Sequence, residues 1–130
     1  MPNPDAIQVL LVEDEPLIIE LVGGALQDGG FEVVVARSGA EAVTVVEARA
    51  GELRGIITDI NLGDDIDGWA VARRAREMAE QMPIVYMSGG SAHEWAVNGA
   101  PNSIMVPKPF APAQIITALT TLMNAAVPLA

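Results

Sequence analysis

Four apolar, β-prone runs in this chain each lead to a residue with reactive or charged chemistry. Ile7–Val12 (IQVLLV) leads to Asp14, Gly55–Thr58 (GIIT) to Asp59, Pro83–Met87 (PIVYM) to Ser88, and Ser103–Val106 (SIMV) to Lys108. Stretches with helical spacing lie between them, so strand and helix alternate five times. Right-handed crossovers then favour an α/β fold of the (βα)5 type, a doubly wound five-stranded parallel sheet in the order 2-1-3-4-5. In such sheets ligands bind outside the carboxyl ends of the strands. Two carboxylates, a hydroxyl and an ammonium from distant parts of the chain therefore converge, a set suited to a metal ion and a phosphoryl group.

The helices have recognisable starts and stops. Pro16 suits a first helical turn, and Ile18, Leu21, Val22, Ala25 and Leu26 share one face of helix one, which Gly29–Gly30 ends. Strand two is FEVVVA, Phe31–Ala36. Ser38-Gly39-Ala40-Glu41 has the pattern of a capping box, and helix two buries Ala42, Val45 and Val46. Helix three is expected from about Gly68 to Gln81 with Val71, Ala75 and Met78 inward, and a short helix four over Ser91–Val97. Gly99–Asn102 reads as a turn. Helix five starts at Pro112 and buries Ile115, Ile116, Leu119 and Leu122, leaving a small apolar tail, VPLA. Residues 1–130 read as one domain with its core over about 6–125 and no effector domain, since no repeat or linker interrupts the pattern.

Composition removes several classes of function. The charge of −10 comes from 7 basic and 17 acidic residues, which leaves little cationic surface for nucleic acid. Arg73, Arg74 and Arg76 read as a solvated helix face. No apolar run approaches the ~20 residues of a membrane span, and MPNPDAIQ lacks the regions of a signal peptide. Without cysteine there is no disulfide, thiolate nucleophile or zinc–thiolate site. A cytoplasmic location is the default expectation, and an acidic domain suits a divalent cation or a basic partner.

The ordered motifs resemble the receiver domain of two-component response regulators. They are Glu13-Asp14-Glu15 after strand one, Thr58-Asp59 ending strand three, Asp67-Gly68, Ser88-Gly89 after strand four, and Lys108-Pro109-Phe110 after strand five. The resemblance covers about residues 6–125. It implies the flavodoxin-like form of the (βα)5 fold and a phosphoacceptor role, with Asp59 taking a phosphoryl group from a histidine kinase or histidine phosphotransfer protein. It also implies Mg²⁺ (or Mn²⁺) held by Asp14, Glu13, Asp59 and the backbone carbonyl of Asn61. Ser88, Gly89 and Lys108 would hold the phosphoryl group. The protein would catalyse only its own phosphorylation and dephosphorylation, and would signal to a downstream protein through helix four, strand five and helix five.

Two features depart from the family pattern. Met105 stands three residues before Lys108, where most receivers carry the Tyr or Phe of an aromatic switch. The signal is then expected to travel through the β4–α4 segment Gly89–Ala100, whose paired glycines favour alternative backbone states. The stretch Ile60–Asp67 (INLGDDID) also places eight residues between Asp59 and Gly68, one more than usual, and lacks the usual proline. The extra acidic residue, Asp64 or Asp65, is expected to reshape the loop near the metal.

Other residues have plainer readings. Asp64, Asp65 and Asp67 suit solvated turns, Glu15 the positive end of a helix, His93 an exposed helical position, Tyr86 the core and Trp69 the packing of helix three. Trp95 is a candidate partner contact. Among competing functions, a haloacid-dehalogenase-like phosphatase usually needs a second Asp two residues after the nucleophile, where this chain has Asn61. A flavin carrier would not place acidic Glu13-Asp14-Glu15 against a phosphate. An unphosphorylated scaffold would not need Asp14, Asp59, Ser88 and Lys108 together.

Overall fold

Each apolar run becomes a strand, and the sheet order is β2-β1-β3-β4-β5. The computed structural model describes residues 6–90 and 92–126. The strands are β1 (Ile7–Val12), β2 (Phe31–Ala36), β3 (Leu53–Asp59), β4 (Ile84–Ser88) and β5 (Ile104–Pro107). The helices are α1 (Pro16–Asp28), α2 (Gly39–Arg49), α3 (Gly68–Met78), α4 (Trp95–Asn98) and α5 (Pro112–Ala126), with a 3-10 turn at Ala92–Glu94. All four strand pairings are parallel. The expected N-terminal MPNPD segment, the Ser91 start of helix four and the VPLA tail lie outside the described residues.

The period of two along a strand sends successive side chains to opposite faces, so a sheet covered on both sides needs continuously apolar strands. Leu10, Val12, Ile56, Ile84 and Tyr86 pack with Ala42 and Val46 of α2 and with Val71, Ala72 and Ala75 of α3. Their neighbours Val9, Leu11, Ile57, Val85 and Met87 pack with Val22 and Leu26 of α1 and with Ile115 and Leu119 of α5. Truncating one of these leucines to alanine costs about 2–5 kcal/mol through lost burial and the cavity left behind.

Polar groups fix where the helices start. Ser38 Oγ accepts from Glu41 N at 3.1 Å, capping α2, and Asp67 Oδ1 accepts from Ala70 N at 2.9 Å, capping α3. A cap of this kind is worth about 1 kcal/mol. Asp67 is therefore a helix cap rather than a merely solvated turn residue. Asp14 does not cap α1; Glu15 occupies that position and makes no side-chain cap bond.

Several expectations about burial are corrected. Leu21 and Met78 are 48% and 43% exposed. Leu21 lies at the edge of the α1 stripe, and α3 stops at Met78 rather than continuing to Gln81. Val45, Ile116 and Leu122 are half-buried at the margins of the two cores. Arg76 is not simply solvated. Its guanidinium donates to Met82 O at 2.7 Å and Pro101 O at 2.6 Å, clamping α3 to the loop before β5. In the fourth crossover α4 is a single turn that follows the 3-10 turn, and none of α4 is buried.

Candidate functional site

The site is built where the strands end. Glu13 directly follows β1, and its amide donates to Ala36 O of β2 at 3.0 Å, so its position is set by the sheet. Its side chain is fully buried. Asp59 is the last residue of β3; its Oδ1 accepts from Ile60 N at 2.8 Å, which orients the carboxylate. Asp14 is exposed at the mouth. One carboxylate oxygen from each of Glu13, Asp14 and Asp59 lies within 4.8 Å of the others.

Lys108 enters from β5. Its Nζ lies 3.4 Å from Asp59 Oδ2 and 3.7 Å from Glu13 Oε2. Its amide donates to Ser88 O at 2.8 Å, which extends the β4–β5 ladder to the edge of the site. Ser88 is buried, and its Oγ accepts from Gly90 N at 3.3 Å. A side chain at Gly89 would meet the Lys108 stem at 4.0 Å, so Gly89 lies beside that lysine. The Lys108–Pro109 peptide is cis. Asn61 is exposed, two residues beyond Asp59 in the loop.

Electrostatics distinguish the carboxylates. Burial pushes the Glu13 carboxyl up to about 7; the charges of Asp59 and, less, Asp14 push the same way, while the Glu15 amide and Lys108 oppose them. Glu13 Oε1 accepts from Glu15 N at 3.2 Å, but Oε2 is buried without a hydrogen-bond donor. A buried carboxylate oxygen facing two other carboxylates is costly unless a cation meets it. This donor set, all oxygen and one-sided in charge, fits a hard divalent cation such as Mg²⁺.

Comparison with known proteins agrees with this geometry. The response regulator receiver domain profile matches residues 9–120. The chain belongs to the response regulator receiver family. The receiver is 44% identical to a response regulator receiver protein from Sinorhizobium medicae of known crystal structure, with a TM-score of 0.92 over 96% of this chain and all of that one. It is 31% identical to the transcriptional regulatory protein TrcR of Mycobacterium tuberculosis, over 91% of this chain and 46% of that protein. It is also 31% identical to the sensor kinase CckA of Brucella abortus, over 89% of this chain and 12% of that protein. The chain thus spans about half the length of one curated relative and a small part of the other. Receivers occur both in regulators and in kinases of two-component systems, and their role there is that of a phosphoacceptor. Membership in this family weighs against the phosphatase reading.

Of the residues singled out in the sequence, Glu13, Asp14, Asp59 and Lys108 meet directly, and Ser88 and Gly89 line the Lys108 side. Met105 lies away from them. It pairs with Tyr86 across β4 and β5 and packs on the α2–α3 side of the sheet. His93 is exposed in the 3-10 turn. Three residues already noted in the sequence make contacts there that the sequence did not show. A Cβ on Gly68 would sit 2.1 Å from Asp59 O, so β3 and α3 touch backbone to backbone there. Thr58 Oγ1 donates to the same carbonyl at 2.8 Å. Asp64, read as a solvated turn residue, bonds to α2. The Asp-Gly spacing signalled Gly68; the extra loop residue was the only sign of Asp64.

Among the described residues no helix is long and apolar enough to cross a membrane.

Proposed function

We propose that Asp59 is the phosphoacceptor of a two-component phosphorelay whose donor is a histidine kinase or histidine phosphotransfer protein. The observation that carries this is the Asp59 carboxylate held between the Glu13–Asp14 pair and the Lys108 ammonium. An Asp59 oxygen attacks the donor's phosphorus, the bond from phosphorus to the donor nitrogen breaks, and that electron pair stays on the donor. Asp59 then carries an acyl phosphate. Lys108 neutralises charge on the phosphoryl oxygens, and the Ser88 hydroxyl and Gly89 amide donate to them. Positioning and fixed charge supply the catalysis. Glu13, Asp14, Asp59 and the Asn61 carbonyl would hold Mg²⁺ or Mn²⁺, which when bound would offset repulsion between two anions. Water later attacks the acyl phosphate, so the signal decays; no other substrate is turned over.

The donor docks over the mouth. Ile18, Leu21, Phe110 and Pro112 form an apolar groove that reaches Lys108, and exposed Leu17 extends it along α1. An apolar patch beside a reactive carboxylate suits a protein donor. Output passes through α4, β5 and α5 to a downstream protein, in the cytoplasm and without nucleic-acid contact. We read residues 1–130 as one receiver unit.

Intact-mass analysis after incubation with a small phosphodonor, with and without Mg²⁺, tests this reading. One metal-dependent phosphoryl adduct, absent in Asp59→Asn, is expected. An adduct that persists in Asp59→Asn moves the acceptor elsewhere. No adduct from either the small donor or a kinase supports a scaffold that works unphosphorylated.

A further inference from the structure

The loop from Ile60 to Asp67 is pinned at both ends. Gly68 N donates to Ile60 O at 2.8 Å, and the Gly68 backbone packs directly on Asp59 O. Between those points the chain carries one residue more than the usual receiver spacing, and extra length adds accessible conformations. The middle is held by Asp64. Its Oδ1 accepts from Gly39 N at 3.2 Å and its Oδ2 from Ala40 N at 3.0 Å. These are the first two amides of α2, which have no acceptor within the helix, and they lie at its positive end.

Two close approaches show that this contact shapes the loop. A Cβ on Gly39 would lie 2.0 Å from Ile66 O, so only glycine lets α2 and the loop meet. On the other side of Asp64, Gly63 adopts a φ of +80° and lies against the site, where a Cβ would be 3.8 Å from Asp14 Oδ2. The loop therefore spans from the start of α2 to the acidic mouth. Asn61 sits between the pinned Ile60 and the Gly63 turn.

We infer that Asp64 is a positioning residue. Its carboxylate ties the acceptor loop to α2 and so fixes the backbone that faces the metal-binding carboxylates. The inference rests on the metal-assisted phosphoacceptor reading above. Asp64 stands apart from the Glu13–Asp14–Asp59 carboxylate cluster, and both of its oxygens face amides of α2. Neighbouring Asp65 is exposed and carries the same charge.

The test is a Mg²⁺ titration followed by amide NMR, on wild type, Asp64→Ala, Asp65→Ala and Ser38→Ala. Asp65→Ala removes the same charge from the same loop, and Ser38→Ala removes the other cap of α2. Asp64→Ala is expected to weaken Mg²⁺ binding about tenfold, as loss of outer support to a metal site does. Asp65→Ala is expected to stay within about twofold because an exposed charge is largely screened, and Ser38→Ala likewise because it removes only the Glu41 cap and leaves the Asp64 bonds in place. Equal weakening in Asp64→Ala and Asp65→Ala overturns the proposal in favour of simple charge, and unchanged affinity in Asp64→Ala overturns it outright. A wild type with no Mg²⁺-dependent shifts at Glu13, Asp14 or Asp59 sinks the metal reading and this inference with it. Wild-type binding that Asp64→Ala leaves intact sinks the inference alone.

Discussion

The Tyr86 hydroxyl accepts the Ala100 amide hydrogen at 3.0 Å. Tyr86 stands two residues before Ser88 on β4, and its ring centroid lies 4.7 Å from that of Trp69 on α3. Ala100 belongs to a small relay: its carbonyl accepts from Ser103 Oγ at 2.6 Å, which in turn accepts from Trp95 Nε1 at 2.9 Å. The strand that ends at Ser88 is thus wired to α4 and to the start of β5. An aromatic ring absent from position 105 is present on the adjacent strand, directly paired with Met105.

Tyr86→Phe keeps the ring and leaves the Ala100 amide without its acceptor. Chemical denaturation should show a loss of about 1 kcal/mol, the usual cost of one such bond. If the β4–α4 segment carries the signal, amide shifts of Trp95 and Ala100 on phosphorylation should shrink in the variant. Unchanged shifts there would remove Tyr86 from the path.

Gly68→Ala forces a methyl group to within 2.1 Å of Asp59 O. Backbone cannot yield as a flexible side chain can, so the variant should lose more than about 2 kcal/mol of stability. The displaced atom belongs to Asp59, the proposed acceptor, so the phosphoryl adduct should also form more slowly in intact-mass time courses. A stable variant with wild-type phosphorylation would contradict the close packing at Asp59.

With Glu13 as a proposed ligand, magnesium affinity should depend on pH. Its carboxyl is raised from 4.5 to about 7, so between those values the folded protein holds a proton that the unfolded chain has released. Without metal, stability is therefore greatest below pH 4.5 as far as Glu13 is concerned, falls as pH rises, and carries the full penalty above about 7. Metal binding needs the ionised form, so affinity should rise with pH up to about 7 and then level off. Calorimetric titration across that range checks both the direction and the plateau.

Glu13→Gln removes the charge whose Oε2 has no donor. In chelator at pH 8, thermal unfolding should shift upward by a few degrees, since about 1 kcal/mol corresponds to roughly 2–8 °C in domains of this general size. With excess Mg²⁺ the order should reverse, because the variant loses a ligand and the wild type gains binding energy on folding. A variant less stable than wild type in chelator would mean that the Lys108 contact outweighs the burial cost.

The sheet order, every strand and the meeting of Glu13, Asp14, Asp59 and Lys108 were legible because each rests on a local pattern. Apolar runs mark buried strands, and parallel topology forces their ends to one side. Side-chain exposure at helix margins was less legible. Leu21 and Met78 have the residue type and spacing of core positions, yet they stay 48% and 43% exposed, and no property of a single helix shows where its neighbour stops. The Tyr86–Ala100 and Asp64–Gly39 contacts were hidden for a related reason. They join residues 14 and 25 positions apart through side-chain geometry that no periodicity encodes. Gly39 illustrates this: in sequence it is one residue of a cap, and only the approach of Ile66 explains why no larger residue fits.

The site draws on β1, β3, β4 and β5, and Glu13 also bonds to β2, so its residues come together only when the strands do. Residues 13 and 108 meet only after the central strands have paired in register. An acyl phosphate on Asp59 would therefore certify that the whole sheet is assembled, and a partner that reads the phosphorylated form would never be answered by a nascent or partly unfolded chain. Quality control of the messenger is thereby built into the chemistry of the message.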